Sequence, residues 1–376
     1  MSALFAARKT FEFMIYLWGL PEVADPEAQA RALAEAGFTV VDGDESSIDL
    51  FAKHGLKVMV RDPSPETVSR LRGHPALWGY HLGDEPYPEE AFPPLVDLRR
   101  KLSGIDSDSY YFVNMLSTTG VFLRTYMKVV EPEILSFDFY QWWWGSDRYF
   151  EKLEEFRQQA VLARVPLGSC IEVNANAGIE RGDRTYLADN RAKLRESVYT
   201  NLAYGVKLVE WFSARILFEP KTAKLAPWGE DVAAINREIA PLGRALAPLH
   251  SVDVYHTPPL PRGTSESPKE HWVQLIGAED RAGLVYGMFE DDSGVDYVMV
   301  ANRDIDDSQS VTMRLQSKWL GIAPWQKQKS YTYGIERLDK TTGNWETVSS
   351  TSFVGFNFVI GPAEGELFRI TTNLKP

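Results

Sequence analysis

The chain has 376 residues, too many for one ordinary core and enough for a large domain plus a smaller one. Its 44% hydrophobic and 24% charged content is that of a folded protein, and a net charge of −12 argues against a nucleic-acid partner, which needs clustered Lys and Arg. No apolar stretch nears the roughly 18 residues of a membrane span, and the single cysteine, Cys170, rules out an internal disulfide.

The opening segment, MSALFAARKTFEF, lacks an apolar run followed by a small-residue cleavage motif. A cytoplasmic protein is therefore expected, or a secreted or periplasmic one whose signal peptide has been removed. From there the chain alternates short apolar runs with helical patterns, the mark of βα units and a parallel sheet. Strands are predicted at Phe11–Trp18, Thr39–Gly43, Leu56–Arg61, Leu77–Gly83, Tyr110–Asn114, Ile134–Tyr140, Leu167–Val173 and Val206–Phe212. Amphipathic helices lie between them, such as Pro26–Ala36, Glu89–Leu102, Tyr149–Ala163 and Asp189–Tyr204. Eight repeats are the number that closes a (β/α)8 TIM barrel, here over residues 1–250. An open doubly wound sheet is the rival, but no G-x-G-x-x-G turn follows an early strand.

Past His250 the texture changes. A turn-rich stretch, Thr257–Gly263, precedes alternating runs at Trp272–Ile276, Gly283–Phe289, Val295–Ala301, Ser310–Leu315, Ser330–Tyr333 and Leu367–Thr371. Helical periodicity is nearly absent, so residues 251–376 are read as an all-β sandwich.

Chemistry on such a barrel sits at the carboxyl ends of the strands. Those ends carry Asp42-Gly43-Asp44, Arg61-Asp62, Asp84-Glu85, Asn114, Asp138-Phe139-Tyr140, Glu172-Val173-Asn174 and Glu210-Trp211. A structural barrel has no need of so many carboxylates, since each costs free energy when desolvated without a partner. Alternation puts Gly79, His81, Gly83 and Glu85 on the inward face of the fourth strand, with Trp78, Tyr80 and Leu82 outward. By the same rule Ser136, Asp138 and Tyr140 face inward on the sixth strand, and Gly168, Cys170 and Glu172 on the seventh. Glu85 and Glu172 are thus expected across one mouth, as a proton donor and a second carboxylate for glycoside hydrolysis. Salt bridges or helix caps account better for Asp44, Glu45 and Asp62.

Other groups take supporting roles. Trp142, Trp143 and Trp144 cannot all face one core, so at least one is expected to border the cleft as a sugar platform. Tyr140 is expected to hydrogen-bond Glu172, and Asn114, Asn174, His81 and Asp84 to bind sugar hydroxyls or neighbouring carboxylates. Trp211 is expected to face inward beneath the sugar, leaving Glu210 outward. A one-residue slip would make Glu210 the rival nucleophile.

The arrangement resembles the clan A glycoside hydrolases, retaining enzymes on (β/α)8 barrels. Over roughly residues 9–250 the resemblance implies Glu85 as acid/base at the end of strand four and Glu172 as nucleophile at the end of strand seven. That clan usually has Asn before the acid/base Glu, where this chain has Asp84. Three segments are similar to bacterial β-galactosidase-like barrel proteins with a C-terminal β-sandwich: Trp78–Pro86, Ala203–Lys207 and Val298–Asp304. The resemblance implies cleavage of β-linked oligo- or polysaccharide, with no cofactor.

Rival readings keep the barrel and change the task. A metal-dependent hydrolase or isomerase would use His54, His81, Asp84 and Glu85, but six histidines with no H-x-H or H-E-x-x-H spacing are a weak ligand signal. A uronate lyase would want cations at the rim, which is acidic. The third rival is a non-catalytic sugar-binding barrel.

Overall fold

The computed structural model describes residues 11–145, 147–176, 185–219, 221–277, 283–315, 331–351 and 356–374. The opening residues through Thr10 and Ser330, both included in readings above, lie outside that set. Strands β1 (Met14–Leu17), β2 (Val40–Gly43), β3 (Lys57–Arg61), β4 (Leu77–Asp84), β5 (Tyr110–Leu116), β6 (Leu135–Asp138), β7 (Leu167–Glu172) and β8 (Val206–Phe212) form a closed barrel in chain order. Every pair is parallel, and β8 closes on β1. Around it run α1 (Pro26–Glu35), α2 (Ile48–Lys53), α3 (Pro65–Leu71), α4 (Phe92–Ser103), α5 (Val121–Val129), α6 (Gln141–Trp144), α7 (Tyr149–Ala163), α8 (Asn190–Ala203) and α9 (Pro227–Leu246). Local chemistry supports these boundaries. The Asp25 and Ser64 side chains accept the amides of Ala28 and Thr67 at the starts of α1 and α3, each followed by proline in the first turn.

Two apolar layers hold the barrel. Met14, Tyr16, Trp18, Met59, Phe112, Cys170 and Leu208 fill its interior, while Ile15, Leu17, Val41, Val58 and Val209 face the helices. Fully burying each such large side chain stabilises the fold by roughly 1.5–3 kcal/mol.

The fourth strand departs from simple alternation. Its register against β3 shifts at Trp78, and against β5 at Leu82. Each irregularity inserts one residue and flips the faces beyond it. Trp78, expected outward, therefore joins the inner layer beside Phe11 and Tyr110. Gly83, expected inward, turns instead towards Leu95 of α4.

Beyond the barrel come β9 (His250–His256), β10 (Val273–Ile276), β11 (Leu284–Glu290), β12 (Asp296–Asn302), β13 (Gln309–Leu315), β14 (Tyr331–Leu338), β15 (Trp345–Thr351), β16 (Phe356–Ile360) and β17 (Gly365–Leu374). They form a three-stranded sheet, β10-β13-β16, and a six-stranded sheet, β15-β14-β17-β12-β11-β9. Val273, Met313 and Phe358 from the first meet Tyr286, Val298 and Phe368 from the second in one core, so this is a β-sandwich. Its large sheet lies against α8. A Cβ on Gly287 would sit 1.8 Å from the carbonyl oxygen of Ala203, so only glycine permits that approach.

Candidate active site

The carboxyl ends of β4, β5, β6 and β8 bring carboxylates and amides into one mouth. The shift at Leu82 makes Asp84 the inward residue at the end of β4. Asn114, its neighbour on β5, donates to the Asp84 carboxylate at 3.0 Å. Asp84 is exposed to the mouth, and its charge reaches the inward groups Asp138, Glu210 and Cys170. Glu85 follows in a left-handed conformation, φ 46°, its amide donating to the Asn114 carbonyl oxygen at 2.9 Å. That bend, and not strand alternation, brings the exposed Glu85 carboxyl into hydrogen-bonding reach of Asp138.

Asp138 is 6% exposed, and its Oδ1 has no hydrogen-bond partner. Burial pushes its pKa up to about 8, and the adjoining Glu85 and Asp84 charges push the same way. Near neutral pH Asp138 therefore holds a proton. Asn114 is likewise buried, with an unpartnered Oδ1. Two buried acceptor atoms thus lack partners on one side of the mouth.

The eighth strand corrects the expectation for Trp211 and Glu210. Leu208, Glu210 and Phe212 face inward, while Trp211 lies in the outer layer, fully buried, its indole N–H donating to Asn236 of α9 at 2.9 Å. Glu210 accepts from the Trp18 indole at 2.8 Å and from the Ser136 hydroxyl. A Cβ on Gly168 would stand 2.9 Å from Glu210 Oε1, so glycine makes room for that carboxyl. Burial raises the Glu210 pKa to about 8, against the lowering effect of its two donors. Deeper still, Asp42 accepts from the Tyr16 hydroxyl and the Gly19 amide and lies 3.5 Å from the Arg61 guanidinium.

Glu172 ends β7 opposite Phe212, as expected, but it is enclosed. It is 1% exposed, and its carboxylate accepts the Trp142 amide at 2.7 Å, with the Trp143 amide also on it. Burial raises its pKa to about 7. The Tyr140 hydroxyl, expected on Glu172, faces the Cys170 sulfur at 3.8 Å, with its ring stacked on Phe212. Asn174 is buried in the loop after β7, its side-chain oxygen accepting from the Asn176 amide. His81 lines the inner wall edge-on to Trp18, with a ring nitrogen 2.8 Å from the Gly83 carbonyl, and burial lowers its pKa.

The tryptophan run separates by residue. Trp142 is tied to α8, its indole donating to the Lys193 carbonyl and the Ser197 hydroxyl. Trp143 donates to the Asn174 carbonyl oxygen and packs on Tyr140 and Phe212. Trp144 stands 44% exposed, its ring against Phe139 and Tyr140. Inward residues missed by the sequence reading are Trp18 and Phe212. Their positions at strand ends, in step with Tyr16 and Leu208, were the available signal.

A cavity of about 820 Å³ opens at the opposite end of the barrel, lined by Phe11, Tyr110, Lys207 and His250. It lies at the amino ends of the strands, away from the carboxylates, and barrel chemistry belongs at the other end. Among the described residues, no group of three or more His, Cys, Asp and Glu side chains is disposed to hold a metal ion. No described helix is long and apolar enough to cross a membrane.

Comparison with solved structures gives consistent neighbours. A protein described as a glycoside hydrolase is 12% identical, with 96% of this chain and 92% of that one covered at a TM-score of 0.60. A family 5 glycoside hydrolase from Bacteroides vulgatus is 12% identical over 96% and 89%, TM-score 0.58. A family 27 β-L-arabinopyranosidase from Geobacillus stearothermophilus is 9% identical over 96% of each chain, TM-score 0.54. The chain shares its fold with glycoside hydrolases. At these identities the likeness concerns architecture. No protein-family model matches the chain, and no curated protein does.

Proposed function

We propose that the protein is a retaining glycoside hydrolase acting on β-linked sugars, with Asp138 as acid/base and Glu85 as nucleophile. The observation that carries this reading is the buried Asp138 beside Glu85 at the mouth of the barrel, where burial and the neighbouring charges favour its protonated form. Glycosidic cleavage needs one carboxyl that keeps its proton near neutrality and one carboxylate close by. Retaining enzymes space the two by about 5–5.5 Å, whereas inverting ones need roughly 6.5–9.5 Å to admit a water. Two carboxyls in hydrogen-bonding reach are far nearer the retaining spacing than the inverting one.

In the first step a Glu85 oxygen attacks the anomeric carbon as the glycosidic bond breaks, and the Asp138 proton passes to the departing oxygen. Asp138 then takes a proton from water, which attacks the same carbon and releases Glu85. Asp84, exposed and fixed by Asn114, accepts from sugar hydroxyls. Trp18, Tyr140, Trp143 and Phe212 give the ring an apolar wall. The β-linkage rests on the resemblance in sequence, and among the neighbours the Geobacillus enzyme is named for a β-linked pentose. A variant of that enzyme is known in complex with arabinose, and it has the same fold at a TM-score of 0.53.

The test is a panel of aryl β-glycosides with wild type, Glu85→Ala and Asp84→Ala, with and without a chelator. Glu85→Ala should lose turnover, and azide should restore it as a glycosyl azide of inverted configuration. Rescue of Asp84→Ala instead would move the nucleophile to Asp84, and dependence on a divalent ion would defeat the reading.

A further inference from the structure

Glu172 takes no part in the chemistry proposed above, and its surroundings point to a different task. The α6 turn carries Trp142, Trp143 and Trp144, and its N-cap residue, Tyr140, gives no side-chain hydrogen bond to the turn's first amides. Amides at a helix start need partners from elsewhere. Glu172, on the neighbouring strand, supplies them: the Trp142 amide lies 2.7 Å from its Oε1, and the Trp143 amide also bonds the carboxylate.

We propose that Glu172 is a positioning residue that anchors the aromatic turn at the mouth, holding Trp143 and Trp144 for the substrate without touching it. The substrate contact rests on the glycosidase reading, and the anchoring does not. Indole bonds from Trp142 to α8 and from Trp143 to the Asn174 carbonyl complete the attachment. Trp143 then packs on Phe212 of the inner wall, and Trp144 presents its exposed ring beside Tyr140.

The anchor is sensitive to pH. Bonds from amides to a carboxylate are stronger than those to a neutral carboxyl. The groups that face Glu172 are Tyr140 at the start of α6, Tyr149 on α7 and Glu196 on α8, with Arg303 offsetting Glu196 from the sandwich side. No cation among these bonds Glu172 directly, and burial leaves its pKa at about 7. The turn therefore loosens as pH falls through that value.

Glu172→Gln is the test, because the amide side chain still accepts one hydrogen bond and carries no titrating charge. Wild-type KM should rise as pH falls through about 7. In Glu172→Gln, KM should be raised several-fold and lose that dependence, with kcat near wild type. Tryptophan fluorescence, read from pH 5.5 to 8.5, gives a second readout that needs no turnover. A transition near pH 7 should appear in wild type and vanish in Glu172→Gln and in a Trp143→Phe, Trp144→Phe double variant. A kcat loss on the order of a thousandfold at unchanged KM, as for a residue of the chemical step, would overturn the proposal. So would a fluorescence transition that is absent from wild type or survives in Glu172→Gln. Absence of all glycosidase activity would defeat the proposed function, and the fluorescence would still test the anchor.

Discussion

Asn114 Nδ2 donates to Asp84 Oδ1 at 3.0 Å across the seam between β5 and β4, and this bond fixes the first carboxylate of the mouth. It exists because the strand irregularity at Leu82 turns Asp84 inward, in line with Asn114.

Removing the donor should misplace the carboxylate without unfolding the barrel. Asn114→Ala is expected to lower kcat/KM about tenfold, the equivalent of about 1.4 kcal/mol. Asn114→Asp should cost more, because it sets two carboxylates against each other. Kinetics on one aryl glycoside with a thermal melt of each variant checks this; unchanged kcat/KM in both would remove Asn114 from the site.

Trp211 gives the opposite pattern. Its indole donates to Asn236 behind the barrel wall, so Trp211→Phe leaves a buried acceptor unpaired at a cost of about 1–3 kcal/mol. Denaturant unfolding should show that loss, while KM stays at the wild-type value. A raised KM with full stability would return Trp211 to the mouth.

How far the sequence revealed this site depended on what each residue's neighbours do. Strand–helix alternation carried the barrel, and loss of helical period carried the sandwich. Strands β9, β15 and β16 went unread: HSVDVYH and WETVSST interleave polar groups with few apolar ones, and FNFVI is only five residues long. Inward faces were legible on β6, where alternation holds from Ser136 to Tyr140, but not on β4, where two inserted residues reset it. On β8 a one-residue slip exchanged Glu210 for Trp211, since period-two patterns turn over completely with such a slip. Asp138 was visibly inward, yet its pairing with Glu85 depends on a left-handed bend that no periodicity reports. Glu172 was legible as a strand end. What it bonds was not, because the amides come from the turn after β6.

Stability should fall as pH rises from 6.5 to 8. Asp138, Glu196 and Glu210 have folded-state pKa values near 8 and Glu172 near 7, all raised by burial. In that window the folded protein binds protons that the unfolded chain has lost, so each titrating group lowers stability by up to about 1.4 kcal/mol per pH unit. His256, held neutral by burial, acts in the other direction only below its unfolded value of about 6.5. Denaturation midpoints at several pH values should show the decline, and Glu210→Gln should flatten it. A flat wild-type profile would contradict the burial of these carboxyls.

Catalysis should show a basic limb in the same range. Asp138 must be protonated to act as the acid, so kcat/KM falls as pH rises through about 8. The limb should disappear in Asp138→Asn, along with most of the activity. A wild-type rate that holds level to pH 9.5 would count against Asp138 as the acid.

The most direct test of the Asp138–Glu85 pair is turnover of Asp138→Ala on aryl β-glycosides of graded leaving-group acidity. A dinitrophenyl leaving group departs without a proton, so its glycosylation rate should stay near wild type. Poorer leaving groups should lose on the order of 10²–10⁴ in kcat/KM, the usual contribution of general acid catalysis. An equal loss across the series, or no loss at all, would contradict the assignment.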